Sequence, residues 1–177
     1  MRNLTDADRL RRLMQAFGRA TRNVTRVYLV GGASAVLCGW RENTLDVDFK
    51  FEPEREELLR ALENLKEELS INVELAYPGD FIPMPPGWQD RSLFIASEGT
   101  VSFFHCDFYA QALAKLERGH GKDTRDVREM IQRKLVETGE LLRLYEAIEP
   151  ELYRFPALDK DAFRKAVVAT GELGPPA

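Results

Sequence analysis

At 177 residues, 44% apolar and 31% charged, the chain can build one ordinary domain with a sizeable core, and wholesale disorder is excluded. A net charge of −4 argues against gripping nucleic acid over the whole surface, while leaving room for a local basic patch. No apolar run approaches the roughly 18–20 residues of a membrane span, and Met1-Arg2-Asn3-Leu4-Thr5-Asp6 lacks the basic-then-apolar plan of a secretion signal. A cytoplasmic protein with no membrane partner is expected. Cys38 and Cys106 sit among apolar neighbours without a C-x-x-C spacing, so neither a disulfide nor a zinc site is expected.

Residues Asp6 to Thr21 read as an amphipathic helix, with Leu10, Leu13, Met14 and Phe17 at helical spacing and Asp6 or Thr5 as N-cap. Val27 to Val30 is a short apolar strand halted by Gly31-Gly32, and Ala33 to Gly39 follows as a short buried helix. Leu45 to Phe51 alternates strictly. Leu45, Val47, Phe49 and Phe51 fall on one face of a strand, and Asp46, Asp48 and Lys50 on the other. Glu54 to Leu69 is helical, and Ile71 to Tyr77 is a strand that sets Val73 and Leu75 against Asn72, Glu74 and Ala76. Pro78 to Gly87 is a proline-rich loop, and Ser92–Ala96 with Val101–His105 forms a hairpin about Ser97-Glu98-Gly99-Thr100. Helices then follow over Phe108–Arg118, Thr124–Glu137, Glu140–Glu149 and Asp159–Thr170, and Gly171 to Ala177 is expected to fray.

Two carboxylates at i and i+2 of a strand share a face, their roots roughly 6–7 Å apart, a spacing suited to one or two divalent cations bound by hard oxygens. Asp46 and Asp48 meet that condition. A D-x-D on an exposed strand is commonplace alone. Here Gly31-Gly32-Ala33-Ser34 lies 12 residues upstream, between a strand and a helix, where glycines allow a ligand close to the backbone and Ser34 offers a hydroxyl to a phosphate. His105 and His120 are too isolated for a metal site and read as structural or surface residues.

This pattern resembles the nucleotidyltransferase superfamily, which includes polymerase β and the minimal and AbiEii-type bacterial transferases. The shared elements are a G-[GS]-x-[ST] turn, here Gly31-Gly32-Ala33-Ser34, and D-x-D on the next strand, here Asp46-Val47-Asp48, with Arg41 and Thr44 between them. A third acid follows on a later strand. Glu74 stands at that place, with Asp80 and Asp107 as competitors. The core match spans roughly residues 25–77. Further on, Ala112-Leu113-Ala114-Lys115-Leu116-Glu117-Arg118, then Lys122-Asp123 and Asp126-Val127, looks like the A-L-x-K-L and K-D-x-x-D motif of the AbiEii-related branch, with Arg118 one place earlier than the motif's A-L-x-K-L-x-x-R. The segment around Pro86-Gly87-Trp88, Arg91, Phe94 and Ile95 is similar to an uncharacterised subgroup of it.

The resemblance implies an α+β nucleotidyltransferase fold, a small mixed sheet flanked by helices, with a core over residues 1–107 and a helical subdomain over 108–177 packed on it. It implies Mg²⁺, up to two ions, held by Asp46, Asp48 and Glu74, and a nucleoside triphosphate as substrate. Gly31, Gly32, Ser34, Arg41, Thr44, Arg91 and Arg118 are the nucleotide-binding candidates, with Lys115 facing the triphosphate and Asp126 orienting nearby groups. A nucleoside monophosphate would pass to a hydroxyl of RNA (tRNA) or of a protein, in a toxin–antitoxin setting with an antitoxin partner. The rival expectations are a non-catalytic binding, antitoxin or regulatory module on the same fold, and a nucleotide sensor.

Overall fold

The structure is a computed structural model that describes residues 4–172, so residues 173–177 of the expected frayed tail lie outside the described residues. The chain forms two compact units. One comprises the chain up to Tyr77 together with Ser92–Cys106, and the other Pro78–Arg91 together with the chain from Asp107 onward.

The first unit holds helix α1 (Ala7–Ala20), strand β1 (Thr25–Val30), helix α2 (Gly31–Leu37), strand β2 (Asp46–Glu52), helix α3 (Glu56–Glu68), and strands β3 (Asn72–Leu75), β4 (Leu93–Glu98) and β5 (Val101–His105). Helix α1 starts where expected because the Asp6 carboxylate accepts from the Arg9 amide at 2.9 Å, capping an otherwise unpaired N–H. Helix α2 begins at the glycine pair itself rather than after it.

The five strands make one mixed sheet in the order β3-β2-β1-β5-β4, with β1/β2 and β4/β5 antiparallel and β1/β5 and β2/β3 parallel. A mixed sheet among helices is the α+β architecture that the sequence indicates. The alternation in β2 works as read: Val47, Phe49 and Phe51 are buried, and Asp46, Asp48 and Lys50 face the other way. Phe17 of α1 meets Phe49 and Phe51 edge-on, each at 5.4 Å between ring centroids, and Leu58, Leu62 and Leu65 of α3 join the same core. Leu45 and Leu75 depart from the expected buried faces, at 38% and 48% exposure. The first precedes β2, and the second ends the four-residue edge strand. Strand β4 runs on to Glu98, which leaves Gly99-Thr100 as the hairpin turn.

The second unit holds helices α4 (Trp88–Arg91), α5 (Phe108–Arg118), α6 (Gly121–Gln132), α7 (Thr138–Ile148) and α8 (Lys160–Glu172), with 3₁₀ turns at Pro78–Asp80 and Glu149–Arg154. Helix α5 packs against α6, α7 and α8. Leu113, Met130, Leu144 and Leu152 are buried there, and Tyr145 meets Phe163 edge-on at 4.9 Å.

Candidate active site

The alternation of β2 puts Asp46 and Asp48 on the sheet face away from α1 and α3, each half-buried. In the parallel β2/β3 pair Asp48 lies beside Glu74, and Asp46 beside Asn72. Neighbouring strands are about 4.8 Å apart, so the backbone sets three carboxylates on one small patch. The Asn72 side-chain amide donates to Asp46 Oδ1 and holds that carboxylate in place. Among the described residues no three His, Cys, Asp or Glu side chains close into one metal-ligand group. The donor chemistry suits a hard divalent cation, whereas the side chains as they stand offer a pair of acids with an exposed Glu74 alongside.

The glycine turn sits directly against these acids. Gly31 takes the left-handed conformation, φ +56°, and a Cβ there would lie 3.5 Å from Asp48 Oδ2. At Gly32 the constraint is space, since a Cβ would stand 2.0 Å from Thr44 Oγ1 and 2.7 Å from Thr44 Cβ. Thr44 in turn donates its hydroxyl to the Asp46 carbonyl at 2.9 Å and pairs through its backbone with Thr5. It is therefore a strut between the turn and the start of β2. Half-exposed Arg41 lies in the same connection, its amide donating to the Ala35 carbonyl at 3.3 Å.

Ser34 points inward. Its side chain is fully buried, donates to the Leu29 carbonyl at 3.0 Å and meets His105 Nδ1 at 3.0 Å. Cys38 Sγ lies 3.6 Å from the other ring nitrogen, Nε2. Burial pushes the His105 pKa down to about 4, so the ring is neutral near pH 7. Because the single Ser34 proton goes to Leu29, Nδ1 carries the ring proton and donates to Ser34 Oγ, which leaves Nε2 to accept from the thiol. This half-buried chain fastens β1, α2 and the end of β5 together just behind the glycine turn.

The remaining candidates belong to the second unit. Lys115 is buried, its ammonium 3.0 Å from Asp123 and 2.7 Å from Asp126. Arg118 grips Asp123 with two nitrogens, at 2.8 and 2.7 Å, while half its side chain stays exposed. Burial works to raise the Asp123 pKa, yet the Arg118 hydrogen bonds and the Lys115 charge outweigh it and hold the carboxyl below its usual range. The motif thus clamps α5 to α6. Arg91 donates to Asp107 Oδ2 from two nitrogens, at 3.1 and 2.7 Å, and to the Pro86 carbonyl at 2.7 Å. Asp107 also caps α5 by accepting from the Tyr109 amide at 3.1 Å, and burial raises its pKa despite Arg91. Asp80, the other competitor for third acid, is exposed in the 3₁₀ turn.

A family profile described as "Nucleotidyltransferase of unknown function" matches residues 6–167, nearly the whole chain. The chain belongs to that family, DUF6036. No curated protein and no solved structure matches it. In this DUF6036 member the acids, the glycine turn and its Thr44 strut all lie within one unit, so the first motif of the sequence folds into one place. Asn72, His105 and Cys38 are the site-shaping residues that motif reasoning passes over. Asn72 was readable as a face-mate of Glu74, whereas the Ser34–His105–Cys38 chain joins residues 67 and 71 positions apart and leaves no local pattern.

Proposed function

We propose that this protein transfers a nucleoside monophosphate from a nucleoside triphosphate to a hydroxyl of an RNA such as tRNA, or of a protein. The observation that carries this reading is the placement of Asp46, Asp48 and Glu74 on one sheet face, with Gly31 packed against Asp48. Asp46 and Asp48 would hold Mg²⁺, with Glu74 reaching in as third acid; bound there, the ion would supply positive charge at the entering and leaving oxygens. The acceptor hydroxyl attacks the α-phosphorus, a new P–O bond forms, the bond to the bridging oxygen breaks and pyrophosphate leaves. Gly31 and Gly32 admit the β- and γ-phosphates close to the backbone. Ser34, with His105 behind it, sets the position of that turn, and Arg41 and Thr44 complete its border. By resemblance alone, Lys115 is assigned to the triphosphate and Asp126 to orienting nearby groups, with Arg91 and Arg118 as further nucleotide-binding candidates. A toxin–antitoxin role with an antitoxin partner belongs to the same reading, by resemblance to the AbiEii type.

Label transfer tests it. The protein is incubated with Mg²⁺, each α-labelled nucleoside triphosphate, and RNA or lysate, beside an Asp46→Ala/Asp48→Ala variant. Label reaching RNA or protein only with intact acids is the expected result. Nucleotide binding without transfer would leave a sensor, and loss of both would leave a non-catalytic module.

A further inference from the structure

The acid-bearing face of the sheet also carries a row of aromatic side chains. Strand register aligns Lys50, Tyr28, Phe104 and Phe94 directly across β2, β1, β5 and β4. Lys50 is two residues beyond Asp48 on one strand, so this row lies on the same face, one pleat from the carboxylates. Tyr28 and Phe104 are 5.6 Å apart between centroids and tilted by 30°, and Phe94 meets Phe104 edge-on at 5.7 Å. Tyr28 is buried, Phe104 is half-buried, and Phe94, at the sheet edge, is 61% exposed. Two cations and an acid accompany the rings: the Arg26 guanidinium lies 5.9 Å over Phe104, the Lys50 ammonium is 4.3 Å from the centre of Tyr77, and Glu52 stands across from Arg26 in the β1/β2 register.

An apolar residue filling a core has no need of that exposure, and a purely apolar partner would not call for cations among the rings. Flat π faces bordered by positive charge match a chain of bases joined by phosphates. Three strand spacings, about 14 Å, separate Phe94 from the acids of β2, and Tyr28 between them is buried, so the open part of the row is the outer part, on β5 and β4. The cations of α1, by contrast, lie behind the sheet, because that helix packs on the opposite face through Phe17.

We infer that Phe94 and Phe104, with Arg26, form a stacking platform for a single-stranded stretch of nucleic acid. In the transfer reading proposed above, this stretch belongs to the acceptor. A base stacks on exposed Phe94, with half-buried Phe104 backing it, and a phosphate meets Arg26. The acceptor role rests on that reading, and the binding does not.

The test is fluorescence anisotropy of a short labelled single-stranded RNA with the full chain, in the absence of nucleotide. Phe94→Ala should weaken binding by about tenfold, the loss of one base stack. Phe94→Trp should restore it, and Phe94→Leu, which keeps apolar area without a π face, should not. Arg26→Gln should make the dependence of log K on log salt shallower by about 0.7, one single-strand phosphate contact. Unchanged binding in Phe94→Ala, full rescue by Phe94→Leu, or no RNA binding by the unaltered protein would each overturn the platform. Weaker binding of a free nucleoside triphosphate in Phe94→Ala, with RNA binding intact, would also overturn it by assigning the rings to the donor's base. If no transfer is ever seen while Phe94 still governs RNA binding, the transfer reading fails and the platform stands. If label reaches RNA with the same KM in Phe94→Ala, the platform fails and the transfer reading stands.

Discussion

Acidifying the protein should unfasten the chain behind the glycine turn as the pH falls below about 6.5. The free imidazole titrates near 6.5, whereas burial holds His105 at about 4 in the folded state. Between these values the unfolded chain binds more protons than the folded one, so stability rises with pH. The His105 contribution is therefore complete above pH 6.5 and is lost as the pH falls toward 4. At about 1.4 kcal/mol per pH unit the span sets a ceiling of about 3 kcal/mol. The ring is partly exposed, and solvent screening brings the expected loss to about 2 kcal/mol. The assay is urea unfolding at steps from pH 7.5 to 4.5, with His105→Gln beside the unaltered protein. Glutamine can still meet Ser34 but does not titrate. Glu57, held at about 2 chiefly by its Asn23 hydrogen bond, loses its contribution only below its ordinary 4.5, and so beneath this window. Asp107 and Glu117, both raised by burial, are common to the two proteins and cancel in the difference. Parallel stability profiles in the two proteins would refute the reasoning.

Replacing Lys115 by Met should cost about 3–5 kcal/mol in chemical unfolding, because it strips a buried partner from Asp123 and Asp126. Adding Asp126→Leu should recover part of that loss. Gly32→Ala should destabilise by about 1–3 kcal/mol through its collision with Thr44, and Gly32→Ala/Thr44→Gly should melt higher than the single variant. Asp107→Asn keeps a side chain able to cap α5, so Asp107→Ala should lower stability by about 1 kcal/mol more than Asp107→Asn does.

What the sequence made legible follows the range of the forces involved. Strand β2 and helix α1 were readable because burial repeats with the period of a single element, two for Val47-Phe49-Phe51 and 3.6 for Leu10-Met14-Phe17. The acids shared a face for the same local reason. Ser34 was harder, since a hydroxyl in a turn serves equally to meet a ligand or to satisfy a buried carbonyl. The choice was made by Leu29 and by His105 on a distant strand. Lys115 posed the same problem: its motif spacing is visible, but only the packing of α5 on α6 shows both aspartates converging on one ammonium. The four-residue helix α4 has too few turns to leave any periodic trace.

The chain passes between its two units three times, after Tyr77, Arg91 and Cys106, and this decides how the protein can be taken apart. A stop codon placed after residue 107 would not liberate the sheet-bearing unit intact. It would leave behind Pro78–Arg91 without α5, against which the 3₁₀ turn and α4 pack, and would bare Ile82 and Trp88, now 0% and 9% exposed. Such a fragment would expose a sticky loop in mid-chain, prone to self-association. Clean dissection calls for excising residues 78–91 and joining Tyr77 to Ser92 with a linker that crosses the whole sheet, since β3 and β4 are its opposite edges, four strand spacings or about 19 Å apart. A gene rearrangement that exchanged the helical part would likewise need to carry an internal segment as well as a terminus.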